Sequence, residues 1–255
     1  MVINEHLLYL FFLILVRTTS MFMTAPVFSQ RSIPARYKIG LGGLMAILLT
    51  PVVNAMRVDL VFDQVTVVAL IFKEILTGVS IGFTMSLLFA GVVLAGEQIS
   101  MDMGISMAQV FDPSVSHNMS VIATLKNIFA ILIFLIIDGH HFLVQAVAYS
   151  YEVVSIGDWQ LSSFAAEKMF RLSAQVFIIG IKMAAPIIVA LFLTSVAMGI
   201  IARAVPQMNI FFVGFPIRIA VGFLFLSLGL PLFIYLFQKL LNNFEQDIIY
   251  LLKVL

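Results

Sequence analysis

The stretch "ILTGVSIGFTMSLLFAGVVLAG", residues 75–96, decides the fold class of this chain. It carries no charged residue and reaches the length of about 20 apolar residues that a helix needs to cross the hydrocarbon core of a bilayer. No segment of the sequence alternates apolar and polar residues with the period of two that a membrane β-barrel requires. We therefore predict an all-α, membrane-associated protein.

Similar apolar runs lie on both sides of this stretch, and hydropathy predicts about six helices in one domain, 1–255. Two of the runs are interrupted by an ionisable residue, Arg17 or Asp138. A charge at the centre of a membrane helix costs about 2.5–3.5 kcal/mol, so these runs need protein partners. The further runs are Leu7–Met23, Ile39–Met56, Asn127–Ser150, Met183–Ala202 and Ile219–Gln238.

The termini and loops of this six-helix arrangement give two further expectations. Glu5 and His6 stand where a signal peptide would carry positive charge, so we expect a retained first helix. Lysine and arginine residues fall on both sides of the predicted membrane, and the positive-inside rule therefore selects no orientation.

The overall composition excludes several classes of protein. Hydrophobic residues make up 62% of the chain and charged residues only 11%, whereas about a quarter of a soluble domain is charged. A membrane or a large apolar assembly must cover the remaining surface. The net charge of +1 gives no indication of nucleic acid. The absence of cysteine excludes disulfides, thiolate metal sites and a cysteine nucleophile.

Two short motifs suggest chemistry that their context does not support. "GVSIG", residues 78–82, matches the nucleophile motif of hydrolases, but that motif requires a strand-to-helix turn and here lies in a helical run. Gly78, Gly82, Ser86 and Ala90 recur every four residues, which predicts a close-packing strip. The chain also lacks a phosphate-binding loop. Because no motif has the context that catalysis requires, we expect no enzyme and no cofactor.

The second motif is "DGHH", residues 138–141. Adjacent histidines on a helix point about 100° apart, so only Asp138 and His141 should share a face. We therefore expect no metal here, and a capped or packed polar break in the helix instead. Proton relay by Asp138 stays open.

A mixed segment, "EQISMDMGISMAQVFDPSVSHNMS" at residues 97–120, follows the opening stretch. It combines the deformable side chains of Met101, Met103, Met107 and Met119 with turn-forming residues. Two interpretations stay open: an ordinary surface loop with some core methionines, or a pliable constriction or plug.

A second unusual segment is "RAVPQMNIFFVGFPIRI", residues 203–219. Pro206 and Pro216 are expected to limit helix continuation, while Gln207 and Asn209 offer donors and acceptors. This pattern predicts a tight reversal between two long helices, buried against protein rather than lipid. The alternative is a plain interhelical connection.

Five motifs follow one another as in the FliR family, the R subunits of the flagellar type III export apparatus, which are related to the SpaR and YscT injectisome subunits. The resemblance runs from about Thr24 to the C-terminus. The motifs are "PVFSQRSIPARYKIGL", "GEQISMDMG", "FDPSVSHNM", "DGHHFLVQA" and "RAVPQMNIFFVGFPIRI".

The resemblance implies a helical-hairpin subunit that joins FliP-like and FliQ-like subunits in a spiral channel for unfolded proteins. It also implies FlhB-like and FlhA-like partners, a place in the bacterial inner membrane at the flagellar basal body, and no nucleic acid. Residues 1–160 and 161–255 would form a P-like and a Q-like half, and the buried charges would face neighbouring subunits.

The resemblance also implies roles for particular residues. Met101, Met103 and Met107 would line or support a constriction, and Pro206, Gln207, Asn209, Gly78 and Gly82 would serve assembly. The pore plug would consist of Phe111, Asp112, Pro113, Ser114, Val115, Ser116, His117, Asn118 and Met119.

Two other functions stay in competition with this one. A secondary transporter of a small solute would use Asp138, Arg17 and Lys182 as coupling or substrate groups, but it should show paired broken helices in two related halves. An intramembrane enzyme would need a convergent catalytic set, and the sequence offers none.

Overall fold

The computed structural model describes residues 5–30, 33–54, 64–106, 119–160, 162–205, 207 and 209–255. Within these residues the chain forms helices and no strands, which confirms the all-α prediction. The helices are α1 (Glu5–Thr24), α2 (Ala35–Asn54), α3 (Gln64–Met103), α4 (Val121–Ile136), α5 (Gly139–Val153), α6 (Ser163–Ala204), α7 (Ile210–Leu228) and α8 (Leu230–Val254).

Helices α3 and α6 are much longer than the apolar runs that predict them, with 40 and 42 residues. At 1.5 Å per residue each is about 60 Å long, roughly twice the thickness of a hydrocarbon core. Lys73 and Glu74 lie inside α3, and Lys182 lies inside α6, so charges that end the apolar runs do not end the helices.

Among the described residues, four helices are long and apolar enough to cross a membrane: α1, α2, α3 and α6. The number rises to six if the bent pairs α4–α5 and α7–α8 each count as one span. The bend between α7 and α8 is 57° and lies at Gly229. These numbers agree with the six apolar runs of the sequence.

The chain divides into two compact units, each assembled from separate segments. The first unit comprises Met1–Leu87, Phe134–Ser173 and Asn242–Leu255, and the second comprises Leu88–Ile133 and Ala174–Leu241. Both units contain residues from before and after position 160. The division into a P-like and a Q-like half stays a prediction.

In the first unit, α1 packs closely against α2 and α3 through glycines. A Cβ atom at Gly78 would overlap the Ser20 hydroxyl and the Arg17 carbonyl, and one at Gly82 would lie 2.7 Å from the Met21 carbonyl oxygen. The close-packing interpretation is thus confirmed for these two glycines. Farther along α3, Ser86 is half-buried and Ala90 is exposed.

In the second unit, glycines again mark places where helices meet. A Cβ at Gly91 on α3 would lie 2.6 Å from the Ile179 side chain on α6, and one at Gly180 would lie 2.8 Å from Leu94. A Cβ at Gly222 on α7 would lie 2.6 Å from Met103. Small residues therefore bring α3 close to both α6 and α7.

The prediction that Pro216 limits helix continuation is wrong. Pro216 lies inside α7, which begins at Ile210. A proline inside a helix removes one backbone hydrogen bond and usually bends the helix, but it need not end it. The connection between α6 and α7 is correspondingly short, residues 205–209, and Pro206 lies outside the described residues.

Candidate functional site

Segment 107–118 lies outside the described residues, but the structure shows how the residues on either side of it are held. After α3, Gly104 adopts a left-handed conformation with φ of 82°, which suits glycine at a helix end. The Ser100 and Ser106 hydroxyls then lie 2.7 Å apart. The chain leaving α3 is thus tied back to the last turns of that helix.

Glu97 joins the two sides of this segment. Its Oε1 atom accepts a hydrogen bond of 2.8 Å from the backbone N–H of Ser120. The Ser120 hydroxyl in turn accepts a bond of 3.2 Å from the Ala123 N–H, which caps the start of α4. One carboxylate therefore fixes the start of α4 beside the end of α3. We call Glu97, Ser100, Ser106 and Ser120 the loop base.

The methionines near the loop base differ in their exposure. Met103 is fully buried and lies against Gly222 of α7. Met101 is 61% exposed and Met119 is 51% exposed. The constriction residue Met107 and the plug residues Phe111–Asn118 lie outside the described residues. Met103 is thus a core residue, whereas Met101 and Met119 are exposed, and the roles of all three in a constriction or plug stay predictions.

The structure brings two segments together that the sequence analysis treats separately. Met101 and Asp102 from the end of α3 line a cavity of about 230 Å³ with Arg218 of α7. Asp102 and Arg218 are both half-buried and carry opposite charges. The remaining lining residues are Ile188, Leu191, Phe192 and Ser195 of α6. The opposite charges of Asp102 and Arg218 are the sequence signal that could have suggested that these two segments lie near each other.

A buried ion pair, which the sequence analysis missed, lies in the first unit. Arg17 and Glu74 are both fully buried. The Arg17 Nε atom donates to Glu74 Oε2 at 2.6 Å, and Nη2 donates to Oε1 at 3.0 Å. This two-bond geometry is the one that guanidinium and carboxylate groups favour.

Two further donors of Arg17 reach residues of α5 and the turn after it. Nη1 donates to the Ser150 hydroxyl at 3.0 Å and to the Val154 carbonyl at 3.1 Å. The guanidinium also lies 4.1 Å from the centre of the Tyr151 ring. The expectation that this charge faces neighbouring subunits is therefore wrong, because its partners belong to this chain.

Asp138 and the two histidines lie close together, whereas the sequence predicts that the two histidine side chains point in different directions. Asp138 has a left-handed conformation and precedes α5, so the helix is broken at this point as predicted, although the Asp138 side chain makes no capping bond. The expected divergence is wrong: the His140 and His141 ring centres are 4.2 Å apart. One donor atom from each of the three residues lies within 4.8 Å of the others.

Within this cluster, His141 Nδ1 lies 3.2 Å from Asp138 Oδ1, and both side chains are mostly exposed. Because these two exposed side chains already contact each other, neither requires a metal ion as a partner. The statement that no metal binds here stays a prediction.

The predicted assembly residues lie in different surroundings. Gln207 and Asn209 are exposed in the connection between α6 and α7, and the Asn209 carbonyl accepts a bond of 3.1 Å from the Phe212 N–H. Gly78 and Gly82 are buried against α1 of the same chain. The interpretation of 203–219 as a reversal buried against protein stays a prediction, and within this chain Phe212 is 81% exposed.

Comparison with known proteins places this arrangement in a family. Residues 8–244 match the family described as "Bacterial export proteins, family 1". The flagellar biosynthetic protein FliR of Pectobacterium carotovorum subsp. carotovorum is 40% identical over 222 residues, which cover 87% of this chain and 84% of that protein. The chain belongs to the FliR family of bacterial export proteins.

Other FliR proteins match over a similar length. FliR of Escherichia coli is 34% identical over 92% of this chain and 91% of its own length. FliR of Bacillus subtilis is 34% identical over 85% of this chain and 84% of its own length. Together with the apolar helices, membership in the FliR family makes this a bacterial inner-membrane protein of the flagellar export apparatus.

Proposed function

We propose that this chain is a structural and gating subunit of the flagellar type III export gate at the basal body. It forms, with FliP-like and FliQ-like subunits, the channel through which unfolded flagellar proteins pass, and FlhB-like and FlhA-like components act beside it. In this role the chain is not an enzyme. Family membership supports the export role, and the Glu97–Ser120 hydrogen bond is the structural observation that supports gating.

The loop base supports a gate because it fixes the two helix ends between which the proposed plug lies in the sequence. Glu97 and the serines hold the flanking helix ends through short hydrogen bonds. The segment that follows contains a methionine, whose side chain adapts to different shapes, together with an Asp-Pro pair and two serines, which favour turns. A pore for unfolded protein must exclude ions at rest and admit side chains of every size, and this combination meets both demands.

The outer surface supports assembly with other subunits. Many large apolar side chains on α6 and α7 are exposed, including Phe177, Phe192 and Phe212. Contiguous exposed apolar surface marks a protein or membrane contact. Because α3 and α6 are about twice as long as a hydrocarbon core is thick, lipid alone would not cover their apolar surface.

Deleting Ser114–Asn118 tests the gate. We expect the complex to assemble with unchanged composition, and its resting conductance to small ions in planar bilayers to rise at least about tenfold over the intact complex. The matched control is Ser86→Ala, which alters one serine on α3 away from the loop base. An intact complex with unchanged resting conductance would contradict a plug in this segment.

Replacing Gln207 and Asn209 with leucine tests the assembly role of the α6–α7 connection. We expect recovery of FliP-like and FliQ-like subunits with the tagged chain to fall several-fold, because exposed amides that bond a partner cannot be replaced by apolar groups. Mass determination of the complex from native membranes measures the loss. Full recovery in detergent would mean that this connection only joins two helices.

No observation favours the transporter. Its three candidate groups are each accounted for separately: Arg17 is buried and bonded to Glu74, Ser150 and Val154, Asp138 pairs with His141 at the surface, and Lys182 is exposed on α6.

A further inference from the structure

A lysine in the second unit is buried without a carboxylate among the described residues. Lys126 on α4 is only 5% exposed. Its Nζ atom donates one hydrogen bond of 3.3 Å to the Met183 carbonyl and lies 4.9 Å from the centre of the Phe233 ring. An ammonium group has three donors, so two of them have no protein acceptor in the part of the chain that the structure describes.

The other large buried cation shows how this chain neutralises a charge. Arg17 donates two bonds to a carboxylate, one to a hydroxyl and one to a carbonyl, all within the chain. Lys126 donates to a single carbonyl oxygen and lies against one aromatic ring. Removing one partner of a buried pair leaves an uncompensated charge that is strongly destabilising, so the chain as it stands leaves Lys126 short of an anion.

A cavity of about 250 Å³ opens directly beside Lys126. Apart from Lys126 and Ser227 its walls are apolar, and it lies where α4, the Pro186 region of α6 and the α7–α8 bend at Gly229 meet. The apolar lining residues include Leu125, Phe129, Ile187, Phe223, Leu230 and Phe233.

The size and lining of the cavity restrict what fills it. At about 30 Å³ per water molecule its volume equals roughly eight waters, but water needs several polar partners and this lining offers few. The space is too small for the two acyl chains of a phospholipid. It suits one acidic side chain that enters together with an apolar neighbour.

We propose that this cavity receives an aspartate or glutamate side chain, carried on an otherwise apolar helix of a partner subunit, which pairs with Lys126. The carboxylate supplies the missing acceptors, and the apolar residues around it fill the rest of the cavity. The inference rests on the proposed function, because it needs the partner subunits of the export gate.

Carbodiimide coupling of the purified wild-type complex tests the contact. The reagent activates a carboxylate, and an amine in direct contact then forms an amide while the reagent leaves as a urea. We expect mass spectrometry to find an amide between Lys126 and an acidic residue of a partner. Lys126→Arg keeps the charge but cannot be coupled in this way, so its complex should assemble and lose this one linkage.

Charge reversal provides the second measurement. We expect Lys126→Glu to lower partner recovery at least about tenfold, because two buried carboxylates would meet. Lys253→Glu, at an exposed lysine in the last turn of α8, should leave recovery unchanged. Placing a lysine at the linked partner position should restore assembly with Lys126→Glu, which a misfolded variant would not allow.

Three results would overturn the inference while leaving the proposed function intact: an amide from Lys126 to a carboxylate of this same chain, full partner recovery with Lys126→Glu, or an anionic lipid that copurifies with the wild type and is lost with Lys126→Met. A wild-type chain that recovers no partner would overturn the proposed function as well.

Discussion

At the scale of single residues, Arg17 is a fully buried charge that needs partners within the protein. It is the largest of the fully buried side chains, and it lies in a helix apolar enough to cross a membrane. Its charge is offset by Glu74, Ser150, Val154 and Tyr151. Glu74 is held in turn by the Gly157 N–H at 3.1 Å, so the ion pair also fixes the turn after α5.

Replacing Glu74 with glutamine should therefore destabilise the protein by about 3–5 kcal/mol, because it leaves Arg17 buried without its counter-charge. The double variant Arg17→Met, Glu74→Met should recover most of that loss, since neither charge remains. Unfolding midpoints of the purified protein in detergent measure both effects. Glu167→Gln, which breaks the exposed pair with Arg171, is the control and should cost about 1 kcal/mol or less.

The sequence predicted that Arg17 needs a protein partner, because a lone charge in lipid is costly. It did not identify the partner, because Glu74 lies 57 positions away and hydropathy treats both residues only as interruptions. The histidines were misjudged for a different reason. The 100° rule gives only the direction in which each side chain leaves the helix, and the two rings still lie 4.2 Å apart.

At the scale of elements, glycines determine how closely helices approach. Gly78 and Gly82 lie one helical turn apart on α3, and both leave room for the backbone of α1. The four-residue spacing was sufficient to predict this contact, since it depends only on helical periodicity. The lengths of α3 and α6 were not predictable in this way, because charged residues end an apolar run without ending a helix.

Alanine at two glycines should give effects of opposite sign. Gly78→Ala should cost about 1–3 kcal/mol, because the new methyl group would overlap Ser20 and the Arg17 carbonyl. Gly199→Ala, where no atom lies within 4 Å of the added methyl, should stabilise α6 by about 0.5–1 kcal/mol. Both are measured as unfolding midpoints in the same detergent. Equal effects would mean that α1 does not pack on α3 at Gly78.

At the scale of the whole molecule, each compact unit is assembled from distant parts of the chain. The first unit combines the N-terminal helices with residues 134–173 and the last fourteen residues, Asn242–Leu255. The Gln160 N–H donates to the Leu255 carbonyl at 2.9 Å, and Lys168 pairs with Asp247 at 2.6 Å. Hydropathy cannot predict this organisation, because it treats each helix by its own composition and carries no information on long-range pairing.

The C-terminal part of α8 should therefore be required for the stability of the first unit. Phe244 is almost completely buried and Asn243 beside it is exposed. Replacing each residue in turn with aspartate therefore distinguishes the effect of losing a buried ring from the effect of an added charge. Phe244→Asp should cost at least about 3 kcal/mol, because it removes a core aromatic ring and buries an unpaired carboxylate. Asn243→Asp should change stability by less than about 0.5 kcal/mol. Trp159, the single tryptophan of the chain, is next to the residue bonded to Leu255, so its fluorescence reports unfolding of this unit. If Phe244→Asp leaves the fluorescence midpoint unchanged, the C-terminal residues do not belong to the core of the first unit.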